Sequence, residues 1–221
     1  MYAALGHGRS YGMRSRVLVR SLPGILESGL WDELANAPPV STRALVTDVG
    51  NDILYGAPAS TILSWVAECL ARLRALGSET VLTDLPLDSI RRMSRSRFLF
   101  FRSLLVPSCR LTLSQVIERS EGVAEGLARM AATERLRFAT LRPEWYGFDP
   151  IHIRPRFWGP AWLEILGWGI PSATPRTPAP RPLPSRVLYF APPARRWICG
   201  LEQRHGQPAV RTSGGTEVWL F

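Results

Sequence analysis

The chain contains no lysine: all 27 of its basic residues are arginine, against 18 acidic residues and a formal net charge of +9. An arginine-only bias is what a GC-rich genome produces. Net charge by itself speaks to solubility and non-specific binding rather than to fold. A nucleic-acid role needs the arginines gathered on one face with stacking aromatics, so a nucleic-acid partner is not expected. Cysteine is scarce as well. Cys69, Cys109 and Cys199 are odd in number and far apart, with no C-x-x-C. That spacing excludes a disulfide framework and a zinc site, and each cysteine reads as a small core residue. No metal and no other cofactor is expected. Gly6 and Gly8 are followed by Tyr11 where G-x-G-x-x-G needs its third glycine, and no Walker A spacing occurs. No run of about 18 uncharged apolar residues exists, so no membrane span is expected. The N-terminus has no charged region, apolar core or cleavage site. The chain as written is expected in the cytoplasm, or exported if an upstream leader is missing.

What is present is a chain of 221 residues, 46% hydrophobic, enough for one domain with an appendage. Tyr2–Leu5 reads as a strand ending at a Gly-rich turn. Residues 16–19 suit a second strand or a helix end. Residues 25–34 have helical spacing, stopped by Pro38 and Pro39. Residues 43–49 suit a buried parallel strand. Ser60 or Thr61 can cap a helix reaching Leu76, closed by Gly77, with Ile62, Leu63, Val66, Leu70, Leu73 and Leu76 as its stripe. A strand over 79–84, a long helix over 113–133, a strand over 136–141 and a Trp-rich helix over 157–166 follow.

Strands and helices in alternation imply a parallel sheet with helices on both faces. Residues 171–186 are a Pro-rich, extended linker. Beyond it, strand-like runs at 187–190, 196–199, 209–211 and 217–221, with Gly214-Gly215 as a hairpin turn, predict a small β appendage. The expected domains are therefore 1–170, 171–186 and 187–221.

Three segments carry the chemistry. They are Gly6-His7-Gly8-Arg9-Ser10-Tyr11-Gly12, Asp48-Val49-Gly50-Asn51-Asp52 and Asp149-Pro150-Ile151-His152. Each follows a predicted strand, where α/β sheets bind ligands. A carboxylate three residues before an imidazole can accept its ring N–H, fix its tautomer and stabilise the imidazolium. That makes Asp149 and His152 an orienter and a base. The Asn51 amide can donate to an oxyanion, although Gly-Asn-Asp is also ordinary turn chemistry, in which Asp52 caps the loop or a helix. The Ser10 hydroxyl stands in a glycine-rich turn where backbone N–H groups can approach a ligand.

In order and spacing these segments resemble the SGNH (GDSL-type) hydrolases over about residues 2–168. The resemblance implies a flavodoxin-like three-layer α/β/α sandwich and a metal-free Ser-His-Asp ester hydrolase. Its substrate would be a small-molecule or glycan ester. Asp149 and His152 match the family's last block fully, as orienter and general base. Asn51-Asp52 matches the Asn-Asp of the third block, with Asn51 as an oxyanion donor; the family's glycine two positions earlier is replaced by Val49. Gly24, in Leu-Pro-Gly, is the candidate second-block glycine donating its N–H to the oxyanion. The first block departs most. A gapless match places Gly8 at the nucleophile position and makes the protein an inactive ligand binder. Two extra residues align Gly8-Arg9-Ser10 with Gly-Asp-Ser, making Ser10 the nucleophile and Arg9 a neighbour that could aid anion binding. The three glycines provide the spare length for the second alignment.

Two further stretches stand out. Residues 91–102 are basic and aromatic: an amphipathic helix with an Arg-rich solvated face, a lid, or a surface-binding element of a basic adaptor. Trp158, Trp162 and Trp168, with Leu163 and Leu166, read as helix core.

Overall fold

The computed structural model describes residues 1–167, 191–212 and 215–221. The expected linker 171–186, the expected strand 187–190, Trp168 and Gly214 lie outside them. The chain is mixed α/β and contains a parallel sheet of three strands. It divides into two units, Met1–Pro39 with Ile170–Phe221, and Val40–Gly169. That division runs along different lines from the expected boundaries, since the first 39 residues group with the C-terminal segment.

In the first unit, β1 (Tyr2–Ala3) pairs with β10 (Glu217–Leu220) in parallel, Tyr2 opposite Trp219 and Ala3 opposite Leu220. The first strand therefore does not belong to the parallel sheet of the second unit. The expectation that all three segments leave one sheet is corrected on this point: β1 takes its partner from the far end of the chain, which no local pattern encodes. The Tyr2 ring stacks on Trp219 and Phe221, at 5.6 and 6.5 Å between centroids.

Residues 15–22 form a hairpin, β2 (Ser15–Val17) and β3 (Arg20–Leu22), around Leu18, whose φ is 55°. β3 also pairs with β7 (Arg195–Ile198), which pairs with β8 (Leu201–Arg204). Cys199 and Gly200 turn that last hairpin with positive φ. Cys199 is exposed there, contrary to its expected burial, whereas Cys69 and Cys109 are buried. Burial pushes the Cys69 thiol up to about 12, against a smaller pull from Arg72, so it is an inert core residue.

The helix expected over 25–34 is broken. A 3-10 turn, Ile25–Glu27, is followed by extended Ser28 and then α1 (Leu30–Asn36). The Ile25 carbonyl accepts the Ser28 hydroxyl at 2.7 Å and the Trp31 indole N–H at 2.9 Å. Side-chain donors thus replace the amide that would have continued the helix.

In the second unit, β4 (Arg43–Val46), β5 (Glu79–Thr83) and β6 (Arg137–Ala139) make a parallel sheet in that order. Leu45 lies opposite Val81, and Val81 opposite Arg137. Thr80 to Thr83 are all buried, as a central strand of a covered sheet requires. α3 (Ala59–Ala75) buries Ile62, Val66, Cys69, Leu70 and Leu73, one stripe at helical spacing. Pro58 precedes it and no side chain caps it, so Ser60 and Thr61 lie inside the first turn rather than at the cap. Proline fixes φ for helix entry without a donor to satisfy.

α6 (Leu113–Glu134) starts from a capping box: the Gln115 N–H donates to the Thr112 hydroxyl, and the Thr112 N–H donates to Gln115 Oε1 at 2.9 Å. α3 and α6 pack closely, for a Cβ at Gly126 would fall 2.2 Å from Leu63 Cδ1. α7 (Trp158–Leu166) lies on β5 and β6, with Ala161 and Ile165 in one cluster with Val81, Ala139, Trp145 and Tyr146. Trp158, Trp162 and Leu163 are exposed, contrary to their expected place in the core. Ala161 and Ile165, four apart, occupy the sheet-facing stripe and leave the indoles outside.

Candidate active site

Of the five sequence-derived site residues, Ser10 and Gly24 belong to the first unit, and Asn51, Asp149 and His152 to the second. Each pairing inside a unit can be built from its backbone.

In the first unit, the turn after β1 and the Pro23-Gly24 turn run side by side. The Ile25 N–H donates to the Ser10 carbonyl at 3.0 Å, and the Leu26 N–H to that of Tyr11 at 2.9 Å. The structure thus brings the first-block and second-block candidates together. Ser10 is buried and its Oγ accepts the Met13 N–H at 2.8 Å. Arg9 is buried too. Its guanidinium donates to the carbonyls of Pro23 and Leu5, each at 3.2 Å, and to that of Phe221. Burial, and then the charge of Arg20, lower its pKa to about 10. A guanidinium that donates to the carbonyls of Leu5, Pro23 and Phe221 braces the turn.

Gly24 has an ordinary φ of −54°, so its need for glycine is spatial. A Cβ there would stand 2.9 Å from both the Gly12 carbonyl carbon and the Met13 nitrogen, backbone atoms with no rotamer to yield. Gly24→Ala is expected to lower the unfolding free energy by on the order of 2 kcal/mol, read by urea denaturation. An unchanged midpoint would show that the two turns separate freely.

In the second unit, the chain leaves β6 through a 3-10 turn, Pro143–Trp145, which buries Trp145. The loop that follows closes where the Arg154 N–H donates to the Trp145 carbonyl at 2.8 Å. Inside it, Asp149 Oδ1 accepts the N–H groups of Ile151 and His152, at 3.0 and 3.1 Å. Asp149 Oδ2 lies 2.7 Å from His152 Nδ1. An ionised carboxylate only accepts, so Nδ1 carries the proton and, in the neutral ring, Nε2 is the unprotonated nitrogen.

The hydrogen bond to Asp149 raises the His152 pKa above its ordinary 6.5; burial opposes this, and the charges of Asp149 and Asp48 add to it. Burial pushes the Asp149 carboxyl up, but the bonds from His152 and Ile151 and the imidazolium charge outweigh it and hold it below its ordinary 3.8.

The sign of each shift sets its pH window. The raised His152 value contributes stability that is full below 6.5 and is lost as pH rises through the folded value. The lowered Asp149 value contributes stability present above 3.8 and lost as pH falls through its folded value. Between 3.8 and 6.5 both are in force. Both side chains are more than a third exposed, so the pair is worth about 0.2–1 kcal/mol. Titrating the His152 ring protons by NMR is expected to give a pKa above 6.5 that falls in Asp149→Asn. An unmoved value in that variant would break the assigned pairing.

Asn51 is the first residue of α2 (Asn51–Leu54), a single turn entered from Gly50. Its N-cap residue is a glycine, and Asp52 is fully buried inside the turn. Asp48 and Asp84 gain a place that sequence reasoning did not assign, beside Tyr146, which from sequence reads as either bordering the substrate or packing its loop. Asp48 follows β4 with a φ of 58°, and its charge acts on both His152 and Tyr146. Asp84 follows β5; burial raises its pKa, against a hydrogen bond from the Leu85 N–H at 2.7 Å. Burial first, then the charges of Asp48 and Asp84, push the Tyr146 phenol up. A cleft beside Asp84 and Tyr146 is lined also by Leu87, Asp88, Arg91 and Thr140. The available signal was position: an aspartate just beyond each of two adjacent parallel strands falls at the same sheet edge.

Among the described residues no group of three or more His, Cys, Asp or Glu side chains is arranged to hold a metal ion. No helix among them is long and apolar enough to cross a membrane. The chain matches no protein-family model, no curated protein and no solved structure.

Proposed function

We propose that the protein is an SGNH-type hydrolase cleaving a carboxylic ester. The observation that carries this reading is the Asp149–His152 pair, with Nδ1 held by a carboxylate that two backbone N–H groups fix in place. Such a pair presents Nε2 as an oriented base. The parallel strands β4, β5 and β6 with their helices are read as part of a flavodoxin-like three-layer sandwich.

In the proposed reaction Ser10 Oγ attacks the acyl carbon while its proton passes to His152 Nε2. The N–H groups near Ser10 and Gly24, with the Asn51 amide, hold the oxyanion. The imidazolium protonates the leaving alkoxide, the alcohol departs, and water resolves the acyl-enzyme using the same histidine. A base of raised pKa implies a rate that climbs with pH through a value above 6.5.

A second reading, an inactive relative that binds a ligand, draws on the first unit. Ser10 is fully buried and its Oγ accepts the Met13 N–H, as a turn-forming serine does. Turnover of p-nitrophenyl acetate by the full chain separates the two. Hydrolysis lost in Ser10→Ala supports the esterase. Hydrolysis that survives that change removes Ser10 from the reaction, and none in the unaltered protein favours the binder.

A further inference from the structure

We infer that the outer face of α5 (Arg95–Leu105), with Phe148, docks this protein onto an anionic lipid bilayer. The inference goes beyond the ester-hydrolase reading and does not depend on it.

The sequence leaves three readings of residues 91–102 open: an Arg-rich solvated face, a lid or a surface-binding element. Arg91, Arg92 and Arg95 are exposed, and the helix shows apolar side chains beside them. α5 is capped by Ser94, whose side chain accepts the Arg97 N–H, and it buries Phe98. Its outward stripe is apolar: Leu99, Phe100 and Leu104 are 38%, 54% and 51% exposed. Phe148, from the loop that carries Asp149, is 70% exposed and extends the patch. Its ring centroid lies 6.3 Å from Phe100 and 5.5 Å from Phe101. A soluble helix shows water its polar face, and contiguous apolar exposure marks an interaction surface.

Charge selects the occupant. Residues 89–117 contain six arginines and no acidic residue. Two of the six hold the patch together. Arg97 donates to the Gly147 carbonyl at 2.5 Å and stands over the Phe148 ring at 5.3 Å, and Arg102 donates to the Leu111 carbonyl at 3.1 Å. Arg91 pairs with Glu121. Arg92, Arg95 and Arg110 are exposed. Exposed leucine and phenylalanine on a segment flanked in sequence by exposed arginines match the boundary between acyl chains and anionic headgroups, where apolar side chains insert and guanidinium groups meet phosphate. A nucleic-acid strand would reward stacking aromatics, and two of the three exposed apolar residues of α5, Leu99 and Leu104, are leucines that offer no ring. Because Phe148 adjoins Asp149 in the chain, docking places the loop of the His152 base against the lipid surface.

The test is co-sedimentation of the full chain with large unilamellar vesicles, one set pure phosphatidylcholine and the other one-quarter phosphatidylglycerol. Binding to the anionic set is expected to be at least about tenfold tighter at low salt. The pairs Phe100→Ser with Leu104→Ser, and Arg92→Gln with Arg95→Gln, are each expected to lose about tenfold, with melting and soluble-ester turnover unchanged. No binding to the anionic vesicles, equal binding to both sets, or full binding by either variant overturns the inference. So does self-association, or tighter binding to duplex DNA, that the same variants abolish. Should the serine variant fail to fold, amide exchange on the unaltered protein decides: slowing over 95–105 on adding anionic vesicles supports docking, and no slowing there overturns it. Ester turnover is read separately, so lost hydrolysis with intact vesicle binding counts against the hydrolase reading alone.

Discussion

Replacing His152 by alanine is expected to lower kcat/KM on a short-chain ester by about 10^4-fold, with the fold intact. The magnitude follows from what Nε2 supplies. In the proposed reaction its loss would leave the serine proton no acceptor of suitable pKa and the leaving alkoxide no donor. His152 is exposed and its bond to Asp149 is between half-exposed groups, so its removal costs little stability. Loss of activity can therefore be read as lost chemistry. Asp149→Asn is expected to cost less than His152→Ala, because it removes the orienter and leaves the base. Adding Ser10→Ala to His152→Ala is expected to cost almost nothing more, since residues acting as one unit are far from additive. Multiplying losses would separate Ser10 from His152 and dismantle the proposed mechanism. The measurement is steady-state hydrolysis by the three single variants and the double variant.

Arg9→Met is expected to destabilise the protein by on the order of 3 kcal/mol, because it strands carbonyls that the buried guanidinium now satisfies. Those acceptors belong to Leu5, Pro23 and Phe221, three distant points of the chain. Arg9→Lys is expected to lose nearly as much, since one ammonium on a flexible stem cannot span what the planar fork spans. That contrast separates the brace from an anion-binding role, in which lysine would largely substitute. Urea unfolding followed by circular dichroism is the readout; a methionine variant as stable as the parent would make the brace superfluous.

The elements legible in the sequence were those with long local signals. The stripe of α3, the capping box and length of α6 and the apolar run of β5 needed only periodicity and end chemistry. The helix over 25–34 misled because Ser28 and Trp31 direct their donors to the Ile25 carbonyl, a competition that spacing does not reveal. The tryptophans of α7 misled because hydrophobicity names candidates for burial without saying which stripe meets the sheet; Ala161 and Ile165 meet it. In the candidate site, Asp149 and His152 were legible because their bond spans three residues of one loop. Asp48 and Asp84 were not, since each gains its meaning from a neighbouring strand.

By itself, then, the sequence determined the local chemistry: the Asp-x-x-His loop, the glycine-rich turns, the helices with an apolar stripe and the alternation that makes a parallel sheet. Tertiary structure alone decided the pairing of β1 with β10, the three carbonyls gathered on Arg9, the packing that reserves Gly24, and the exposure of Leu99, Phe100 and Phe148. The division has one physical cause. Periodicity, capping and turn preferences act over a few residues, whereas strand partners and buried faces are set by burial and hydrogen-bond satisfaction between segments as far apart as Tyr2 and Trp219.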